Sequence, residues 1–143
     1  MLTESDIEQC IEQLKQGTEV QLEEALIAYL EKDTLPLLSK SEIQLFDFIL
    51  SVLHGTIHDH YKNSSFSIDD FIAAEEANWA QRDKNKKLSD SIDSFFDSYH
   101  EEDLLAFVED MLADDEDAEI TETGREIIFI TCKSFIDSMT KSA

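Results

Sequence analysis

From Thr3 to Met139 the apolar residues recur at three- and four-residue spacing, and the chain has little with which to stop a helix or turn a hairpin, namely three Gly and one Pro. That period is the signature of amphipathic helices, and Ser, Thr or Asp repeatedly stands where a helix would be capped. The pattern predicts an all-α, single-domain helical bundle of about seven helices. Thr3 caps a first helix carrying Ile7, Cys10, Ile11 and Leu14, which Gly17 ends. Thr18 opens a second with Leu22, Ala25, Leu26, Tyr29 and Leu30 inward, and Pro36 lies in the connector after it. A third begins near Ser41 and aligns Ile43, Phe46, Ile49, Leu50, Leu53 and Ile57; its tail is HGTIHDHY, residues 54–61.

Ser67, with Asp70 three positions on, resembles a capping box and opens a fourth helix carrying Phe71, Ile72, Ala74 and Trp79, the last read as a core residue. A fifth runs from Leu88 to Tyr99 with Ile92, Phe95 and Phe96 inward, and a sixth covers EEDLLAFVEDML. The last, from Glu122 to about Met139, is apolar around much of its girth and is expected to run through the middle of the bundle. EEALIAYLEK at 23–32 matches EEDLLAFVED at 101–110 with five identities in ten positions, and LSKS at 38–41 then corresponds to ITET at 120–123. Two degenerate three-helix units, residues 1–62 and 88–143, joined by a linking helix at 67–87, would account for this order; so would convergent helix composition.

Thirty-three acids against eleven bases give a net charge of −22, which disfavours direct contact with nucleic acid or an anionic membrane. With 42% hydrophobic residues, including nine Phe, the acids must coat a folded body rather than a disordered chain. Four of the eleven bases, Arg82, Lys84, Lys86 and Lys87, cluster after the fourth helix, where cations complement the negative pole of its end. The start, MLTESDIEQ, has no basic-then-apolar profile, and apolar runs such as IIFI at 127–130 are too short to span a bilayer. A cytoplasmic protein is expected, with Cys10 and Cys132 as buried free thiols.

Three of the four histidines fall in HGTIHDHY. His54 and His58, one helical turn apart, have the spacing with which two imidazoles grip one metal ion such as zinc; an antiparallel fourth helix would bring Glu75 opposite, giving His54, His58 and Glu75 as a first shell. The alternative is structural, because imidazoles suit the negative end of a helix without any ligand, and Gly55 is a weak point for the helix itself. The aligned positions of the second unit, Ile136, Thr140 and Ser142, offer no such site. A twelve-residue count from Asp115 puts Asp115, Asp117, Glu119, Thr121, Thr123 and Glu126 at the liganding positions of an EF-hand, but Ile120 replaces the glycine needed at its turn and Glu122 an apolar residue, so a solvated acidic loop is the better reading.

No phosphate-cradling glycine loop, GxSxG elbow or HExxH appears, His100 stands without a nominated nucleophile, and burial would leave Cys132 inert. The reading is therefore a non-enzymatic acidic helical protein-interaction module, an adaptor or stoichiometric inhibitor of a basic protein, with Asp114, Asp115, Glu116 and Asp117 as the partner-binding surface. Two alternatives stand beside it: a metal-binding protein using His54, His58 and Glu75, and a structural repeat protein that forms homo-oligomers through Trp79 and its apolar surroundings.

Overall fold

The chain's most apolar segment takes the centre. The computed structural model describes residues 2–18, 20–61, 65–82, 88–97, 99–113 and 120–140, with the backbone alone over 88–91. Among these the helices are α1 (Glu4–Lys15), α2 (Glu24–Asp33), α3 (Lys40–His60), α4 (Ile68–Gln81), α5 (Leu88–Phe96), α6 (Glu102–Leu112) and α7 (Glu122–Thr140), with a single 3-10 turn at Leu35–Leu37 and no strand. The architecture is an all-helical bundle. Every residue of α7 from Ile127 to Ile136 is buried, because α3, α4 and α6 all pack against it. The outer helix α1 lies on α3. Among the described residues no helix is long and apolar enough to cross a membrane.

Side-chain caps start α1, α3 and α4. The Thr3 hydroxyl accepts the Asp6 N–H while the Asp6 carboxylate accepts the Thr3 N–H, a reciprocal box that starts α1. Gly17, at φ +94°, ends it, and the N–H groups of Gly17 and Thr18 turn back onto the Leu14 and Gln13 carbonyls at 3.1 and 3.0 Å. Thr18, whose N–H belongs to that closure, does not open a second helix as expected; α2 begins at Glu24 without a side-chain cap bond, and residues 20–23 are non-helical. Val20 in this segment lies against α3 at Gly55, where an added Cβ would sit 2.7 Å from the Cys10 Sγ and 3.2 Å from a Val20 methyl. Gly55 thus admits α1 and the 20–23 segment to the surface of α3, and the helix continues through it. α3 begins at Lys40, near Ser41 as expected, with Ser39 as its cap, and α5 ends at Phe96 rather than Tyr99.

The N-termini of α3 and α7 meet on one carboxylate. Glu42 accepts the Ser39 N–H through Oε1 at 2.8 Å, and the Thr121 N–H and hydroxyl through Oε2, both at 2.9 Å. Burial pushes Glu42 up, but these donors more than offset it and hold the carboxyl below its ordinary range. The space it occupies exists because residue 124 is glycine, whose hypothetical Cβ would lie 1.8 Å from the Glu42 Oε2. Ser39 and Thr121 are corresponding positions in the internal alignment, as are Glu42 and Gly124.

A second polar link determines which face of α4 turns inward. Asn78 donates to the Ser134 hydroxyl and to Asp137, both at 3.0 Å, and accepts from the Lys133 ammonium at 2.7 Å. Lys133 also meets Asp137 at 2.9 Å, the Tyr99 hydroxyl donates to the same carboxylate, and the ammonium lies 4.8 Å from the Tyr99 ring centroid. The buried positions of α4 are therefore Phe71, Glu75 and Asn78, while Trp79, read from the sequence as core, is 36% exposed.

Candidate functional site

The histidine stretch is a helix end packed on the bundle. His54 is only 8% exposed, its ring stacked between those of His58 and Phe135 at centroid distances of 6.0 Å each. Burial, then the charge of His58, hold its imidazole below the ordinary histidine range, with Glu23 opposing them, and its Nδ1 has no hydrogen-bond partner. His58 is exposed, while His60 joins α3 to α1 through Asp6 at 3.0 Å and the Thr56 carbonyl at 2.9 Å. Glu75 does not join them. It faces α2 and α7, accepting from the Tyr29 hydroxyl at 2.5 Å and the Thr131 hydroxyl at 3.5 Å.

The expected first shell of His54, His58 and Glu75 assumed that α4 folds back directly on α3. Instead α7 packs on both, and Phe135 of α7 stacks with His54 and with Phe66. Among the described residues no three or more His, Cys, Asp or Glu side chains come together as metal ligands. His100 meets the Thr140 hydroxyl at 2.6 Å. Both thiols are buried, which pushes Cys10 and, more strongly, Cys132 above the usual range and leaves them poor nucleophiles.

Asp114, Asp115, Glu116, Asp117 and Glu119 lie outside the described residues, as do Lys84, Lys86 and Lys87. Two other positions of the EF-hand count are otherwise engaged: Thr121 bonds Glu42, and Glu126 pairs with Arg82 at 2.6 Å. Arg82 thus serves as a link from the end of α4 to α7.

Among the described residues a groove of about 440 Å³ opens between α2, the 3-10 turn, α4 and α7. Leu37, 64% exposed, and Trp79 stand at its apolar wall, Tyr29 and Glu75 at its inner end, and Asp33 and Glu76 also line it. Burial raises the Glu75 carboxyl above its ordinary range; the hydrogen bonds from Tyr29 and Thr131 oppose the rise and the charge of Asp33 adds to it. Burial, together with the neighbouring Glu75, likewise lifts the Tyr29 hydroxyl well above the usual range. In the sequence Tyr29 and Trp79 fit a core pattern and Glu75 a metal-ligand pattern, while Asp33, Leu37 and Glu76 belong to none of the expected sites. The spacing Ile72, Glu76, Trp79 held a signal, since it puts a carboxylate and two large apolar residues on one helical face. No family model, curated protein or solved structure matches this chain.

Proposed function

We propose that this chain is a non-enzymatic acidic interaction module that docks a basic protein, as an adaptor or as a stoichiometric inhibitor. The observation that carries the reading is the groove, which joins exposed apolar surface at Leu37 and Trp79 to the carboxylates of Asp33, Glu75 and Glu76 on a chain of net charge −22. Long-range attraction from such a charge speeds encounter with a cationic surface and makes binding salt-sensitive. An apolar anchor inside the contact supplies the dehydrated centre from which most interface affinity comes. The same charge opposes self-association, because two copies would bring like fields together. The acidic run Asp114, Asp115, Glu116 and Asp117 is proposed as a second contact that acts through its charge.

The test is quantitative capture from the native cells at low and high salt, with three baits: the natural sequence, Leu37→Ser, and a form with Asp114, Asp115, Glu116 and Asp117 changed to their amides. Basic proteins held at low salt, shed at high salt and depleted on the Leu37→Ser bait support the module. A flatter salt dependence on the amide bait supports the acidic run as a contact. Equal retention on all three baits, or no basic protein on any, sinks the reading, and a mass that rises with concentration in place of capture would favour self-association.

A further inference from the structure

Glu75 differs from the other buried glutamates in what its oxygens touch. Glu42 and Glu101 have a close donor on each oxygen: Glu42 as described, and Glu101 from the Leu2 N–H at 2.9 Å on Oε2 and the Tyr61 hydroxyl on Oε1. Glu75 has a close donor on Oε1 alone; Oε2 is met only by the Thr131 hydroxyl at 3.5 Å, the outer limit of a hydrogen bond. It is nevertheless only 8% exposed. Among the described residues no cation pairs with Glu75, or with Asp33 or Glu76 in the same groove. A buried carboxylate short of donors carries a desolvation cost that a bound donor or cation relieves.

The surroundings narrow the ligand. The groove is lined by the aromatic rings of Tyr29 and Trp79, the apolar side chains of Ile72 and Ile127 and the carboxylates of Asp33, Glu75 and Glu76. A guanidinium suits this combination better than an ammonium: it is planar, stacks on aromatic faces, is more weakly hydrated, and donates in a fork that a carboxylate accepts. The volume of about 440 Å³ lies within the ~300–1,000 Å³ usual for ligand sites and leaves room for a neighbouring side chain. We infer that the groove is a docking site for an arginine of a basic partner segment, its guanidinium seated on Glu75 beside Tyr29 and Trp79 and an adjacent apolar side chain resting on Leu37. This inference rests on the interaction-module reading and names the chemistry of its partner.

Trp79 is the chain's single tryptophan, so its fluorescence reports on the groove directly. The probe is the blocked pentapeptide Ala-Leu-Arg-Leu-Ala, compared with versions carrying citrulline or lysine in place of arginine; citrulline keeps the shape and removes the charge. A saturable change with the arginine peptide is expected, with binding about 10-fold weaker for citrulline and an intermediate value for lysine. Glu75→Gln should bring the arginine peptide to the level of the citrulline peptide while the thermal melt stays intact. Should Glu75→Gln fail to fold, the exposed Glu76→Gln carries the same comparison with a smaller loss. Equal affinity for arginine and citrulline, no saturation, or full affinity in Glu75→Gln or, failing that variant, in Glu76→Gln would overturn the assignment. Cell capture that depends on Leu37 and salt but is indifferent to Glu75→Gln would remove the arginine seat and leave the module; peptide binding without any captured basic protein would do the reverse.

Discussion

Two tyrosine–carboxylate pairs flank α7, and they are built to different ends. Near its C-terminus Asp137 accepts from Tyr99, Asn78 and Lys133, so the carboxylate has a hydroxyl, an amide and a counter-charge within reach. Further toward its N-terminus, Glu75 accepts from Tyr29 and weakly from Thr131 and has no cation among the described residues. Tyr99 and Tyr29 respond alike, each hydroxyl lifted well above its usual range by burial and by the adjacent carboxylate. What separates the two is completeness. A closed network with its own cation fixes the register of α4 on α7, whereas a carboxylate left without one, at the end of an open groove, has capacity to spare for a partner.

The largest expected effect lies in the closed network. Lys133→Met keeps the length of the side chain but leaves Asp137 without its cation and the Asn78 carbonyl oxygen without its donor, and should cost about 3 kcal/mol, read as a fall in the denaturation midpoint. A loss below about 0.5 kcal/mol would mean that the network tolerates an unpaired carboxylate, and its contrast with Glu75 would lose force. Next comes the capping carboxylate. Gly124→Ala puts a methyl where the Glu42 Oε2 lies and should cost about 2 kcal/mol by displacing a group that caps two helices. Combining it with Glu42→Ala should cost less than the sum of the single changes, because one interaction is then removed twice. Additivity would show that Gly124 matters for another reason.

These sites also mark what could be read in advance. The helix count, the Thr3 and Ser67 caps, the stripe of α3 and the central place of α7 follow from spacing within single helices, which local sequence specifies. The start of α2 is not legible in this way, because the helix begins after Glu23 with no side-chain cap bond to mark the boundary. The inward face of α4 was half read: Phe71 is buried as expected, but Asn78 rather than Trp79 turns to α7 because Lys133, distant in sequence, supplies the partner for a buried amide. Glu75 drew notice as a candidate ligand, yet its neighbours depended on α7 packing between α3 and α4, a long-range choice that helical periodicity leaves open.

Glu75→Gln sharpens the comparison with an effect of opposite sign. The amide still accepts from Tyr29 and carries no charge to desolvate, so near pH 7 the variant should be more stable than the natural chain by about 1 kcal/mol. The folded Glu75 carboxyl titrates above its unfolded value, so its contribution to stability is full below about pH 4.5 and is lost as the pH rises through the folded value. The variant's advantage should therefore grow from acid toward neutral pH. An advantage that stayed flat, or a loss of stability, would mean that Glu75 is as well satisfied as Asp137, and the groove would then have no unmet demand for a cation.

The smallest effect is expected at His54, the one buried imidazole whose Nδ1 is without a partner. Its surroundings are the rings of His58 and Phe135, with Glu23 near enough to oppose the depression and with Cys10 and Asp59 lining the same cavity. Because its folded value lies below the unfolded one, the unfolded chain binds the proton first as the pH falls below about 6.5, and stability present above that pH is lost on the way down. His54→Phe keeps the stacked ring and removes the titration. The difference in melting temperature between variant and natural chain, taken at pH 7.5 and again at 5.5, cancels the many acids common to both, and it should shift in favour of the variant at the lower pH. A shift the other way would require His54 to gain a partner when charged, with Glu23, whose charge already opposes the depression, as the candidate, and HGTIHDHY would then belong with Glu75 among sites held ready for binding rather than with the packed end of a core helix.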